Sequence, residues 1–118
     1  MEDVFTIDVS EEAFEKILNG TKTIQLDIND RKRKNFAVGN IISFRYKTEE
    51  EAKEQKAVIE NLLYFNNITE AVETLGKEKC GFKPSATFEK ASDAFLSGES
   101  YEDIEKFGIV AIIFKLEA

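Results

Sequence analysis

The stretch GTKTIQLDINDRKRKNFAVGNIISF, residues 20–44, decides the interpretation of this chain. It opens with Gly20 and Lys22, continues through the alternating segment TIQLDI and a basic cluster, and reaches Gly39 before an apolar run. Alternation of polar and apolar residues is typical of a half-buried strand. A glycine, a lysine and a cationic loop around such a strand indicate a binding loop on a small β-scaffold.

The alternation in TIQLDI gives each side chain a direction, because successive residues of a strand point to opposite faces. The apolar positions are expected to pack in the core: Ile24, Leu26 and Ile28. The polar positions share the other face, which on an antiparallel strand usually meets solvent: Thr23, Gln25 and Asp27. A ligand cleft is the alternative for this polar face.

The patterns outside this stretch predict alternating helices and strands. Predicted strands cover residues 4–9, 23–28, 41–46, 56–65 and 109–116, with a charged hairpin loop at 49–54. Predicted helices cover residues 11–19 with Ser10 as N-cap and Gly20 at the end, 66–76 with Thr69 as cap, and 85–96. Ser100 and Asp103 predict a last short helix that Gly108 stops.

The last strand, IVAIIFKL, is apolar at nearly every position and is predicted to lie inside the sheet, with Val110, Ile112 and Phe114 among the most buried residues. At 118 residues the chain is long enough for one core without disulfides. We therefore predict a single α+β domain over residues 1–118: a small curved barrel of five or six strands with helices packed alongside.

Composition excludes several functional classes. The net charge of −7 disfavours general nucleic-acid binding, although residues 31–34 form a local basic cluster. The chain has no histidine, which excludes Ser-His and Cys-His catalysis and makes a zinc site or another cofactor unexpected. One cysteine, an acidic start and no long apolar run predict a cytoplasmic protein without signal peptide or membrane span. We expect a monomer or a weak dimer.

The order of these motifs resembles that of the activating-signal-cointegrator homology (ASCH) domains, a branch of the PUA-like β-barrels. Gly20 and Lys22 match the family motif G-x-K-x-x-E-x-R, whereas Gln25 and Asp27 replace its Glu and Arg. Asn40 replaces the usual Asp after the second glycine. The segment DRKRK resembles the loop D-x-K-R of bacterial relatives, which places Asp30, Lys32 and Arg33 on matched positions. The segment CGF stands where the family often has E-G-F, and EKFGIVAI resembles the closing strand of the family.

The resemblance implies recognition of RNA, modified nucleosides or a similar ligand in a cleft beside the barrel. The expected ligand-binding residues are Lys22, Thr23, Gln25, Asp27 and Arg33. The two replacements change the formal charge of the motif from +1 to 0, which disfavours anionic ligands. The alternative is that Lys22 and Asp27 pair with each other instead of binding a ligand.

Some small bacterial members resemble amidohydrolases of acetylated cytidine that use a Lys, a Thr and a Glu. Their lysine falls on Lys22, their threonine on Gln25, and their glutamate near Cys80, where Glu78 is the nearest carboxylate. Since only Lys22 is retained, we expect a non-catalytic binding domain for RNA or a nucleotide-like ligand. An amidohydrolase acting on N4-acetylcytidine through Lys22, and a protein-binding regulatory module, are the alternatives.

Cys80 and four aromatic residues each have two interpretations. Cys80 has no histidine to activate it and is predicted to be a small buried residue, although a nearby lysine would lower its pKa. The aromatic residues are candidates for stacking on a base, with core packing as the alternative: Tyr46, Tyr64, Phe65 and Phe82.

Overall fold

One five-stranded sheet organises the fold, seen in a computed structural model that describes residues 4–30, 36–87 and 101–117. The strands are β1 (Val4–Asp8), β2 (Ile24–Ile28), β3 (Ile41–Lys47), β4 (Ala52–Phe65) and β5 (Ile109–Leu116). The helices are α1 (Glu11–Leu18), α2 (Ile68–Leu75) and α3 (Tyr101–Phe107). None of the helices in these ranges is long and apolar enough to cross a membrane.

The strands lie in the order β1-β3-β4-β5-β2, and the sheet curls into a half-barrel. All neighbouring strands are antiparallel except β1 and β3, which are parallel. The predicted α+β class and the curved sheet of about five strands are confirmed. β5 lies between β4 and β2, so the prediction that the last strand is internal is also confirmed.

β5 supplies both of the hydrophobic cores, because its side chains alternate between the two faces of the sheet. Ile109 and Ala111 pack with α2 and α3 in the cluster that we call the helix-side core. Val110, Ile112 and Phe114 pack with Ile17 of α1 on the other face, in the cluster that we call the inner core. These three β5 residues are at most 5% exposed, as predicted.

A β-bulge in β4 changes which of its residues face each core. Ile59 opposes Phe114 and Asn61 opposes Ile113, so Glu60 is the extra residue between them. Before the bulge, odd-numbered Ile59 faces the inner core; after it, Leu62 takes that face and Leu63 turns to the helix-side core. The alternation is therefore shifted by one residue at Glu60.

Three helix ends show how the local sequence sets the helix boundaries. Ser10 is the N-cap of α1, as predicted, because its Oγ accepts a hydrogen bond from the Ala13 N–H at 3.2 Å. Gly20 follows the C-cap with φ = 84°, a conformation that favours glycine.

For α2 the predicted cap Thr69 is wrong: Asn67 is the cap, with its Oδ1 accepting a hydrogen bond from the Glu70 N–H at 2.8 Å. Asn67 is the N-cap because its backbone is extended, whereas Thr69 already lies inside the helix over residues 68–75.

The hairpin between β3 and β4 is shorter than predicted. β4 begins at Ala52, inside the predicted loop 49–54, because Lys53 and Glu54 remain paired with Tyr46 and Arg45 of β3. The turn is closed by Thr48, whose N–H donates to the Glu51 carbonyl at 2.8 Å. The charged residues at the start of β4 do not prevent strand formation, because their side chains are exposed to solvent.

The prediction of a helix over 85–96 is wrong at its start. Residues 84–85 form a turn and 86–87 are not helical; 88–96, and the Ser100 that was predicted to cap the last helix, lie outside the described residues. The last helix itself is present as α3, and Gly108 follows it with φ = 74°.

Candidate functional site

Three backbone segments meet where β2 begins. The N–H groups of Thr23 and Ile24 both donate to the Lys79 carbonyl at 3.0 Å, which ties the turn over residues 77–82 to the start of β2. The Lys22 N–H donates to the Lys16 carbonyl of α1 at 3.0 Å. We call the turn over residues 77–82 the covering turn, because it closes over the start of β2.

The Lys22 side chain is buried beneath the covering turn, with only 9% of its surface exposed. A Cβ built on Gly81 would lie 2.9 Å from Lys22 Cδ and 3.5 Å from its Nζ, so the end of the lysine lies against Gly81. The Gly81 carbonyl accepts a hydrogen bond from Lys16 Nζ at 3.1 Å. Two lysines thus approach the same glycine.

Burial dominates the electrostatics of Lys22 and lowers its pKa from 10.5 to about 8. Cys80 and Asp27 favour the charged form, and Lys16 opposes it. At pH 7 the group is still mainly an ammonium, but it loses its proton far more readily than a surface lysine. It is therefore suited either to donating hydrogen bonds to a ligand oxygen or to accepting a proton.

Cys80 is buried in the helix-side core, in agreement with the prediction of a small buried residue. Burial raises the pKa of its thiol from 9.0 to about 11, and the nearby Lys22 lowers it by a smaller amount. The thiol is consequently protonated at neutral pH. A low-pKa cysteine nucleophile is not supported at this position.

The interpretation of the polar face of β2 as solvent-facing is wrong. Asp27 is 7% exposed and Gln25 is half-buried. In the sheet register they lie beside Val110 and Ile112 of β5, which face the inner core. Because the sheet curls, this face of β2 turns inward.

The Gln25 side chain leaves one acceptor unused within the described part of the chain. Its Nε2 donates a long hydrogen bond of 3.4 Å to the Leu26 carbonyl. Its Oε1 is buried and has no hydrogen-bond partner among residues 4–30, 36–87 and 101–117. A buried acceptor without a donor costs roughly 1–3 kcal/mol. Gln25 can therefore gain from a ligand or water that supplies an N–H or O–H.

Thr23 and Glu78 belong to a different part of the surface. Both line a groove of about 680 Å³ outside the covering turn, and no atoms of Lys22, Gln25 or Asp27 line its described walls. The structure thus brings Lys22 close to Asp27 but places Thr23 with Glu78. Arg33, the fifth predicted ligand-binding residue, lies outside the described residues.

Of the four candidate stacking residues, Tyr64 is the most exposed. It is 59% exposed and lines a groove of about 520 Å³ with Asn29 and residues of α3. Phe65 and Phe82 pack against the helix-side core. The Tyr46 ring lies near Phe14, and its hydroxyl donates to Glu11 at 3.4 Å. Tyr64 therefore remains the best candidate for stacking on a ligand ring.

Sequence reasoning missed two residues that shape the Lys22 environment, Lys16 and Gly81. Lys16 carried only the signal of a basic residue near a helix end, and Gly81 only that of one letter in CGF. A motif can mark a glycine, but only the fold shows which side chain occupies the space that it leaves. Among the described residues, no group of three or more Cys, Asp or Glu could hold a metal ion.

Comparison with solved structures identifies the fold, whereas no family model and no curated protein sequence matches the chain. Hypothetical protein PH0355 superposes with a TM-score of 0.83 at 23% identity, over 98% of this chain and 100% of that one. Protein PF0455 from Pyrococcus furiosus gives 0.73 at 21% identity, over 97% of each chain.

ASCH from Zymomonas mobilis superposes with a TM-score of 0.63 at 12% identity, over 95% of this chain and 66% of that one. At these identities the likeness concerns the fold alone. It agrees with the order of motifs that runs from Gly20 and Lys22 to the closing strand. The resemblance is confirmed at that level: this chain has the fold of ASCH domains.

Proposed function

We propose that this chain is a non-catalytic ASCH-type binding domain for a nucleotide-like ligand, free or within RNA, that is held beside the start of β2. The observation that carries the proposal is the burial of Lys22, a residue that is only 9% exposed and whose pKa is lowered to about 8. Strongly perturbed titratable groups concentrate at functional sites, because burial and neighbouring charges there match the pKa of a group to its task.

Lys22 and the polar side chains of the following strand β2 suit the edge of a nucleobase. Lys22 can donate to a ring carbonyl, while the Asp27 carboxylate and Gln25 Oε1 can accept hydrogen bonds from ring or amino N–H groups. The three side chains sum to zero formal charge, which favours a neutral base over a bare phosphate. The basic cluster that includes Arg33 is the part of the chain that we expect to contact the phosphates of RNA.

A binding titration tests the proposal. Short single-stranded RNAs and free nucleosides would be titrated into the protein at low salt, with affinity measured by calorimetry or by NMR shifts. We expect weak RNA binding that decreases with salt, and a salt slope that falls by about one in Arg33→Ala. Lys22→Ala should abolish binding of both ligand types, whereas Lys79→Ala, which removes an exposed lysine of the covering turn, should leave it unchanged.

Two outcomes would contradict the proposal. Absence of binding to every RNA and nucleoside at low salt would favour a protein partner instead. Equal losses in Lys22→Ala and Lys79→Ala would show that any binding reflects surface charge and not the buried site.

An amidohydrolase is the second candidate function, and the lowered pKa of Lys22 is the observation that favours it. With a pKa of about 8, about one tenth of the lysine is neutral at pH 7 and able to act as a base. Amide hydrolysis also needs a nucleophile and a group that stabilises the oxyanion. Gln25 is not a nucleophile. Thr23 lines the groove that it shares with Glu78, whose described walls include no atom of Lys22.

A further inference from the structure

The end of the buried Lys22 side chain lies against Gly81. The Cβ of any residue placed there would lie 2.9 Å from Cδ, 3.3 Å from Cε and 3.5 Å from Nζ of Lys22. Nonbonded atoms essentially never approach a Cβ to within 2.9 Å. The space that a side chain at position 81 needs is the space that the end of Lys22 occupies.

The covering turn is held too firmly to give way easily. The Lys79 carbonyl accepts the hydrogen bonds of the Thr23 and Ile24 N–H groups at 3.0 Å. Lys16 Nζ donates to the Gly81 carbonyl at 3.1 Å. Within the turn, the Gly81 N–H donates to the Glu78 carbonyl at 2.9 Å and the Phe82 N–H to the Lys77 carbonyl at 2.8 Å. The obstructing atoms, by contrast, are the far end of a flexible lysine.

We propose that Gly81 is a positioning residue for Lys22: its missing side chain allows the covering turn to close on the lysine and to hold the ammonium in its buried place near Asp27. The inference deepens the proposed function, on which it rests for the role of Lys22 in ligand binding. A side chain at position 81 displaces the lysine toward solvent and leaves the turn in place. Gly81 does not itself contact the ligand in this account.

Gly76 provides a matched control. Gly76 and Gly81 have φ values of 97° and 93°, so alanine meets an unfavourable positive φ at both positions. A Cβ at Gly76 has no atom within 4 Å outside its neighbours, whereas a Cβ at Gly81 meets Lys22. Gly76→Ala therefore controls for the strain of a positive φ, and a change at Lys22 that occurs only in Gly81→Ala reports the contact with the lysine.

The experiment is an NMR titration of the Lys22 Cε resonance in the ligand-free full chain, assigned with Lys22→Arg. The pKa of Lys22 should be about 8 in the wild type and in Gly76→Ala. In Gly81→Ala it should rise toward the ordinary 10.5, because the displaced ammonium regains water. An unchanged pKa in a folded Gly81→Ala protein would overturn the proposal, whatever the ligand titrations show.

A double-mutant cycle keeps the proposal testable if Gly81→Ala is poorly folded. Truncating the lysine removes the obstruction, so Gly81→Ala should lower the urea midpoint less in the Lys22→Ala background than in the wild type. The effect of Gly76→Ala should be the same in both backgrounds. Equal effects of Gly81→Ala in both backgrounds would overturn the proposal.

Discussion

Burial moves the pKa values of Lys22 and Cys80 in opposite directions, the ammonium down to about 8 and the thiol up to about 11. The two groups influence each other electrostatically beneath the covering turn. At pH 7 the pair is a cation beside a neutral thiol, and between about pH 8 and 11 both groups are neutral. The pair therefore becomes uncharged by losing one proton.

We predict that Lys22→Met stabilises the protein at neutral pH. Because the folded pKa of Lys22 is about 8 and the ordinary value is 10.5, the unfolded chain binds more protons between these pH values. The contribution of Lys22 to the free energy of unfolding therefore rises from pH 8 to 10.5 and is lost as the pH falls through 8. At about 1.4 kcal/mol for each pH unit between the two pKa values, the variant should gain roughly 3 kcal/mol at pH 7.

Urea unfolding at pH 7 and pH 10 would check this prediction. The gain should shrink strongly at pH 10, where the wild-type lysine is already neutral in the folded state. Lys79→Met is the control, since that lysine is exposed and should show little change at either pH. A gain of the same size at both pH values would show that packing, and not the charge, is responsible.

We predict that Cys80 reacts slowly with alkylating reagents in the folded protein. Raising the thiol pKa from 9.0 to about 11 lowers the thiolate fraction at pH 8 roughly 100-fold, and burial adds a steric barrier. Iodoacetamide labelling followed by mass spectrometry would measure the rate, and the single cysteine makes the assignment unambiguous. Comparable rates in the folded protein and in denaturant would contradict the buried, protonated thiol.

The caps of α2 give a prediction about stability. Asn67→Ala should lower the free energy of unfolding by about 1 kcal/mol, because it removes the acceptor of the 2.8 Å hydrogen bond from the Glu70 N–H. Thr69→Ala should be neutral or slightly stabilising, since Thr69 lies within the exposed side of the helix. Thermal unfolding would measure the stability of both variants. A larger loss of stability in Thr69→Ala than in Asn67→Ala would support Thr69 as the N-cap.

We predict that the chain turns over N4-acetylcytidine poorly at best. Lys22 can supply a base, but the position of the nucleophile holds Gln25, and groups that act as a unit are not replaced one at a time. Product formation by the wild type and by Lys22→Ala, followed by chromatography, is the measurement. Robust wild-type turnover that collapses in Lys22→Ala would make the amidohydrolase the preferred function.

The sequence predicted best those elements whose local signals agree with their final environment. Ser10 and Gly20 bound α1 through capping groups that are local in sequence. The run that forms β5 is apolar because both of its faces are covered, and it was recognised for that reason. In both cases the neighbouring residues along the chain carry the whole signal.

The sequence failed where the environment comes from distant residues. Asp27 was expected on a solvent-facing side of β2, and only the curl of the sheet turns that side inward. Gly81 is 59 residues from Lys22 along the chain, so no pattern within either segment reveals that one fits against the other. The candidate site was therefore predictable at Lys22 itself and not in its surroundings.

The sharing of strands between the two cores affects how the fold melts. Side chains of the same two strands, β4 and β5, enter the hydrophobic interiors on both sides of the sheet. Neither interior can open fully while the other keeps its strands in place. Two separate clusters of buried side chains are thereby joined into one cooperative unit, and amides in β5 should exchange with solvent only through global unfolding.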